Sequence, residues 1–369
     1  MAEAIDSLSA CDRLAFDTES DAFYRYDERV CLMQFSDEQS DYLFDPLAWG
    51  LPDSWRSLLS SKDRTIFLHG GDFDVLSLRR CFDLRLGNIF DTMIAARCLG
   101  ITAFGLSTLL KNELGIHISK SEQRSDWGRR PLTPKQIAYA RQDTTHLFQL
   151  ADLLIDKLKA AKRLEWVAED CEVLRHRTPT EKTFDEESWR KIKGAADLSE
   201  PGRKVVRSVF IWREQQAKAM NRAPFRVLGS DGIMGIGRAA AKNGRKIVGQ
   251  LHDIRGVSSR INQRGLRDAI KSGFNGEPVP AARPRRKNDE EYKPRKPKDP
   301  EAKQRLARLK GARNACAVDL KLEPSFLISG AVLERIARDP PADSQQMDAL
   351  TGITKWRSEL LNADLLSVL

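Results

Sequence analysis

Long apolar runs are missing from this chain. No stretch of about 18 apolar residues occurs among its 369, so no membrane-spanning helix is expected. Cysteine is sparse as well. Its six copies (Cys11, Cys31, Cys81, Cys98, Cys171, Cys316) form no Cys-x-x-Cys pair. That argues against a zinc ribbon or a disulfide scaffold and fits a reducing compartment, the cytoplasm. The opening MAEAIDSLSACDRLAFD has no basic segment followed by an apolar one, so no secretory leader is expected. No Gly-x-Gly-x-x-Gly follows a strand, which removes a dehydrogenase-like nucleotide binder.

Hydrophobic residues make up 41% and charged residues 31%, enough to bury real cores. A length of 369 residues suggests two to three domains. The net charge of +9 is unevenly placed: residues 1–150 carry a net −5 and the remainder a net +14. Acidic side chains can gather cations and basic ones a polyanion, although a solvated basic face would look the same.

The first part reads as α/β. Leu14–Phe16 leading into Asp17-Thr18-Glu19, then Val30–Phe35, Tyr42–Phe44 and Thr65–Leu68 read as strands between polar turns. Helices are expected after Gly70-Gly71-Asp72, after Asp91 as a cap, and after Thr133-Pro134 as N-cap and first position. This domain is expected to span 1–165. Helical periodicity takes over in 182–275, and a basic, proline-rich linker is expected at 276–301. A second helical segment covers 302–369. FRVLGSDGIMGIGR from Phe225 resembles FLISGAVLERIAR from Phe326, which suggests one helical module present twice.

Asp17 and Glu19 alternate on a strand, so both carboxylates face the same side. Their flanking residues Leu14, Ala15 and Phe16 suggest a buried strand, where uncompensated charge is costly. Asp74 opens a helix, and Tyr139 and Asp143 share a helical face four residues apart. Taken singly, each of these is as ordinary as a solvated acid or a dipole-favoured residue at a helix start. Together, four carboxylates match two hard divalent cations held by oxygen. Two such ions can flank a phosphodiester.

The motifs LAFDTES (14–20), FLHGGDFDVL (67–76) and YARQD (139–143), with SKSEQRSDWGRRPLTPKQIAYA before the last, resemble the ribonuclease D family of DEDD exonucleases. The resemblance spans nearly the whole chain. It implies a ribonuclease H-like exonuclease domain followed by one or two small helicase-and-ribonuclease-D C-terminal (HRDC-like) helical bundles, the second one degenerate. It implies a 3′-5′ exoribonuclease of the tyrosine branch that requires a free 3′ hydroxyl. Two divalent ions, Mg²⁺ or Mn²⁺, would be held by Asp17, Glu19, Asp74 and Asp143. Asp17 would bridge them, and Tyr139 would orient the water. The expected partner is RNA, such as tRNA precursors or other 3′-extended RNA, and no membrane. Two alternatives are the same site acting on DNA, and a catalytically dead RNA-binding scaffold. Retention of all five residues argues against the second.

Around these ligands, Gln34 could bind a base or ribose, and His69 could line the groove. Lys120, Gln123 and Trp127 sit in a polar stretch suited to a single strand. Arg129 and Arg130 are plausible phosphate contacts. Each also has a plain structural explanation: a polar strand residue, a core histidine, an exposed loop anchored by its tryptophan. Deleting 276–369 is expected to weaken binding of structured RNA more than cleavage of short oligomers.

Overall fold

Alternating apolar residues in the first hundred positions become a five-stranded sheet. The strands are β1 (Arg13–Ser20), β2 (Val30–Ser36), β3 (Asp41–Phe44), β4 (Thr65–Leu68) and β5 (Asn88–Asp91), in the spatial order β3-β2-β1-β4-β5. β1 runs antiparallel to β2 and parallel to β4. The computed structural model describes residues 2–181, 183–258, 261–280 and 300–369. Most of the linker expected at 276–301 lies outside the described residues.

The helices of this part are α1 (Ala2–Ser9), α2 (Pro46–Trp49), α3 (Asp53–Ser60), α4 (Asp72–Phe82), α5 (Thr92–Cys98), α6 (Leu106–Leu109), α7 (Pro134–Thr145), α8 (Leu147–Ala160) and α9 (Leu164–Arg175). They cover both faces of the sheet, as a sheet with parallel strands requires. On one face Phe35 packs on Trp55 of α3, with ring centroids 4.9 Å apart. On the other, Phe67 meets Phe148 of α8 edge-on at 5.5 Å. α7 begins with a full capping box: Thr133 accepts from Gln136 N, the Gln136 side chain returns to Thr133 N, and Pro134 occupies the first turn.

The pairing of β1 with β4 stops at Ala15↔Phe67, whereas its pairing with β2 continues past Glu19. The carboxyl half of β1 therefore projects beyond β4. This leaves an open edge where strand direction switches, the usual place for a site in such sheets.

Two compact units are defined by contacts. One holds the described residues of 1–20, 30–179 and 294–369. The other holds 21–29 and the described residues of 180–293. The second unit contains α10 (Glu200–Ala219), α11 (Pro224–Val227), α12 (Ser230–Asn243) and α13 (Gln263–Asn275) around a core of Trp189, Val205, Val209, Ile233, Leu266 and Ile270. Residues 21–29 are bound into it. Ala223 N donates to Tyr24 O at 3.1 Å, Asn221 Oδ1 accepts from Tyr26 N and Asp27 N at 3.1 Å each, and Tyr26 Oη donates to Glu214 Oε1 at 2.7 Å.

The helices of 300–369 are α14 (Pro300–Leu320), α15 (Pro324–Leu327), α16 (Gly330–Arg338), α17 (Ser344–Thr351) and α18 (Lys355–Ser367). α11 and α12 start at 224 and 230, and α15 and α16 start at 324 and 330, so the repeat noted in the sequence recurs as the same order of elements. The sequence sets 302–369 apart as a bundle of its own. In the structure these helices share one hydrophobic core with the five-stranded sheet, through Leu309, Phe326, Leu333 and Trp356. Trp356 stacks on Trp166 of α9, with centroids 4.4 Å apart and planes 6° from parallel. Arg357 grips Asp170 of α9, Nη2 to Oδ2 at 2.8 Å. Arg163 donates to Leu320 O at 2.8 Å. No helix among the described residues is long and apolar enough to cross a membrane.

Candidate active site

The projecting end of β1 carries Asp17 and Glu19 on one side and Thr18 on the other. α7 packs over β1, β2 and β3 and brings Tyr139 and Asp143 to the side holding the two acids. The carboxylate oxygens of Asp17, Glu19 and Asp143 lie within 4.8 Å of one another. Tyr139 donates its hydroxyl to Asp143. Asp74 arrives in the first turn of α4, 5% exposed, and accepts from the Thr18 hydroxyl at 2.5 Å. The end of the strand is thus held from both faces.

The electrostatics reflect this crowding. Burial, then the charges of Asp74, Asp143 and Glu19, hold the Asp17 carboxyl well above the ordinary range. Burial with Asp143 and Asp74 pushes Glu19 up to about 9. Burial lifts Asp143 to about 7 against the hydrogen bond from Tyr139. Burial lifts Asp74 to about 6 against the bond from Thr18. Burial and the surrounding carboxylates also push the Tyr139 phenol upward. Three hard oxygen donors in one small space, all short of positive charge, suit a divalent cation.

The surrounding residues fall out differently. Gln34 sits directly across from Asp17 in the β1–β2 register and is 0% exposed, so its amide is not open to a base or ribose. Trp127 is 1% exposed, its ring 6.0 Å from that of Tyr139; it braces α7 and offers no stacking face. His69 is tied to Thr92 Oγ1 through Nδ1 at 2.9 Å, and burial lowers its pKa. Lys120 and Gln123 are exposed in the stretch before α7. Arg130 is spent on structure, donating to Asp45 Oδ2 at 2.6 Å and to Trp127 O and Cys31 O at 2.7 Å each.

Two residues escaped the sequence reading. Thr18 lies inside the first motif, but its bond to Asp74 joins segments 56 residues apart. Asp91 read only as a helix cap.

Residues 1–159 match the family model described as 3′-5′ exonuclease. A ribonuclease D from Pseudomonas paraeruginosa is 30% identical over 365 residues, which cover 96% of this chain and 92% of that protein. The chain belongs to the ribonuclease D family. Another ribonuclease D, from Gluconacetobacter diazotrophicus, is 29% identical over 89% of this chain and 82% of its own length. Among solved structures, a Bifidobacterium adolescentis protein superposes with a TM-score of 0.78 at 20% identity, over all of this chain and 95% of its own. Escherichia coli RNase D superposes with a TM-score of 0.63 at 21% identity, over the same shares. At these identities both are likenesses of fold alone.

Proposed function

We propose that this chain, a 3′-5′ exoribonuclease of the ribonuclease D family, removes nucleotides one at a time from the 3′-hydroxyl end of RNA. It releases nucleoside 5′-monophosphates. Its substrates are tRNA precursors or other 3′-extended RNAs, and it works in the cytoplasm. The observation that carries this reading is the convergence of Asp17, Glu19 and Asp143 within 4.8 Å, beside the Tyr139 hydroxyl.

The donor set fits the ions the family implies. Asp17, Glu19 and Asp143 would hold one Mg²⁺ or Mn²⁺, and Asp17 with Asp74 a second. Divalent cations there supply Lewis-acid polarisation of the scissile phosphate and an attacking water at neutral pH. The chain's own residues do the rest. Tyr139, its phenol pushed above an already high ordinary pKa, keeps its proton and acts as an orienting group, not as a base. Thr18 fixes the Asp74 carboxylate through its hydroxyl. The apolar residues around Trp127 and Tyr139 keep α7 seated over β2. The 182–275 segment is proposed as an HRDC-like module that adds affinity for RNA.

A 3′-labelled RNA incubated with the protein in Mg²⁺ or Mn²⁺ tests this directly. Labelled mononucleotide should appear at once and vanish with chelator. RNA ending in a 3′ phosphate should resist. Faster loss of a matched DNA strand would reassign the substrate.

A further inference from the structure

We infer that Asp91 is a positioning residue for the metal site: it clasps the turn from which Asp74 is presented. The inference rests on the reading of Asp74 as a metal ligand given above.

Asp91 ends β5 and is 1% exposed. As the N-cap of α5, its Oδ1 accepts from Met93 N at 2.8 Å and Ile94 N at 3.2 Å, which is all a helix cap needs. This carboxylate does more. Oδ1 also accepts from Gly70 N at 3.1 Å, and Oδ2 accepts from Gly71 N at 2.7 Å. Gly70 and Gly71 form the turn that leaves β4, and Gly71 is the N-cap residue of α4. A glycine has no side chain with which to cap a helix, and α4 shows no side-chain cap bond. Asp91 therefore fixes the start of α4 from twenty residues away in the chain, and Asp74 lies three residues past Gly71.

The turn has little freedom to find another geometry. Gly70 has φ +67°, where other residues are strained. A Cβ at Gly70 would stand 2.6 Å from Met93 Cε, and one at Gly71 2.7 Å from Leu68 Cδ1. The clasp is backed from behind, since Asp91 N donates to Cys171 Sγ of α9 at 3.3 Å.

Asp91→Ser separates the two tasks. Serine still caps α5, but its single short hydroxyl cannot also span the two glycine amides. Hydrogen exchange should show Gly70 and Gly71 amides opening at least about tenfold faster, with Met93 and Ile94 still protected. Mn²⁺ affinity, read from the spin signal of free Mn²⁺, should fall roughly 10–100-fold, as for other residues that orient metal ligands. kcat should fall while KM for RNA stays within about twofold. If Asp91→Ser does not fold, Asp91→Asn carries the same expectation for Gly71 alone, because its amide nitrogen replaces Oδ2 and cannot accept from Gly71, whereas its oxygen still accepts from Gly70. In either case, slow exchange of both glycine amides in the wild type is required, and rapid exchange there overturns the clasp. A folded variant with wild-type Mn²⁺ affinity overturns the positioning role. Wild-type protein that binds no Mn²⁺ overturns the metal-site reading instead, and the exchange measurement still decides whether the clasp exists.

Discussion

Tyr139 and Asp143, one helical turn apart on α7, are joined by a hydrogen bond from phenol to carboxylate. The bond draws the Asp143 pKa down against a burial that lifts it to about 7. Removing the hydroxyl therefore has two consequences of different kinds.

Tyr139→Phe should lower kcat roughly 10²-fold, the scale of one oriented donor at a reacting centre. It should also raise the Asp143 pKa, so the acid limb of the pH–rate profile moves to higher pH. Single-turnover rates on RNA with a 3′ hydroxyl, taken across pH, read both effects. An unmoved acid limb would mean that the bond plays no part in setting this carboxylate.

The ion-free protein should lose stability as pH rises. The carboxyls of Asp74, Asp143 and Glu19 titrate near 6, 7 and 9 in the fold, all above their ordinary values, so the folded state binds more protons than the unfolded one. That contribution is complete below about pH 4 and is lost progressively as pH climbs through these values. Thermal melts in chelator should fall from about pH 5 to about pH 9. Asp17→Asn should flatten the fall.

Divalent ions should reverse that loss, and more strongly at higher pH. Bound ions need deprotonated carboxylates, so binding releases protons and tightens as pH rises through about 7. Calorimetric Mg²⁺ titrations in buffers of different ionisation enthalpy count the protons. Affinity independent of pH would argue for an ion bound elsewhere.

Gln34→Leu should stabilise the ion-free protein. The Gln34 amide is 0% exposed, and neither its oxygen nor its nitrogen has a partner among the described residues. Replacing an unpaired buried amide with a side chain of similar size should gain about 1 kcal/mol. Denaturant midpoints measure it, and a lowered midpoint would show that the amide is paired.

Arg357→Ala should destabilise by about 3 kcal/mol, the scale for leaving a buried carboxylate without its partner. The side chains of Arg357 and Asp170 are only 12% and 10% exposed. A chain ending before residue 300 should lose cleavage together with thermal stability, because Trp166 and its neighbours would face water. This replaces the separable binding role that the sequence suggested for 276–369. Cleavage of short oligomers by that truncation, measured beside its melting curve, checks it.

Much of the site could be read from local pattern. Period-two alternation placed Asp17 and Glu19 on one side of a strand, and Thr133-Pro134 marked the start of the helix bearing Tyr139 and Asp143. What escaped depends on distant partners. An aspartate before a helix reads as a cap, and nothing local tells that Asp91 also takes two amides from twenty residues upstream. Trp127 among lysines, serines and arginines reads as a stacking face, yet it packs beside Tyr139 and Cys31. Helical patterning marks 302–369 as helical, but it cannot show that α9 and the sheet are what cover these helices.

The catalytic unit draws its core from residues 1–20 and 30–179 and from 300–369. A ribosome delivers these pieces in order, with more than a hundred residues of another unit between them. During translation the surface around Trp166 and Asp170 waits, unsealed, for Trp356 and Arg357 to emerge. A chain arrested before α18 should therefore expose that apolar surface, which favours aggregation over completion of the fold.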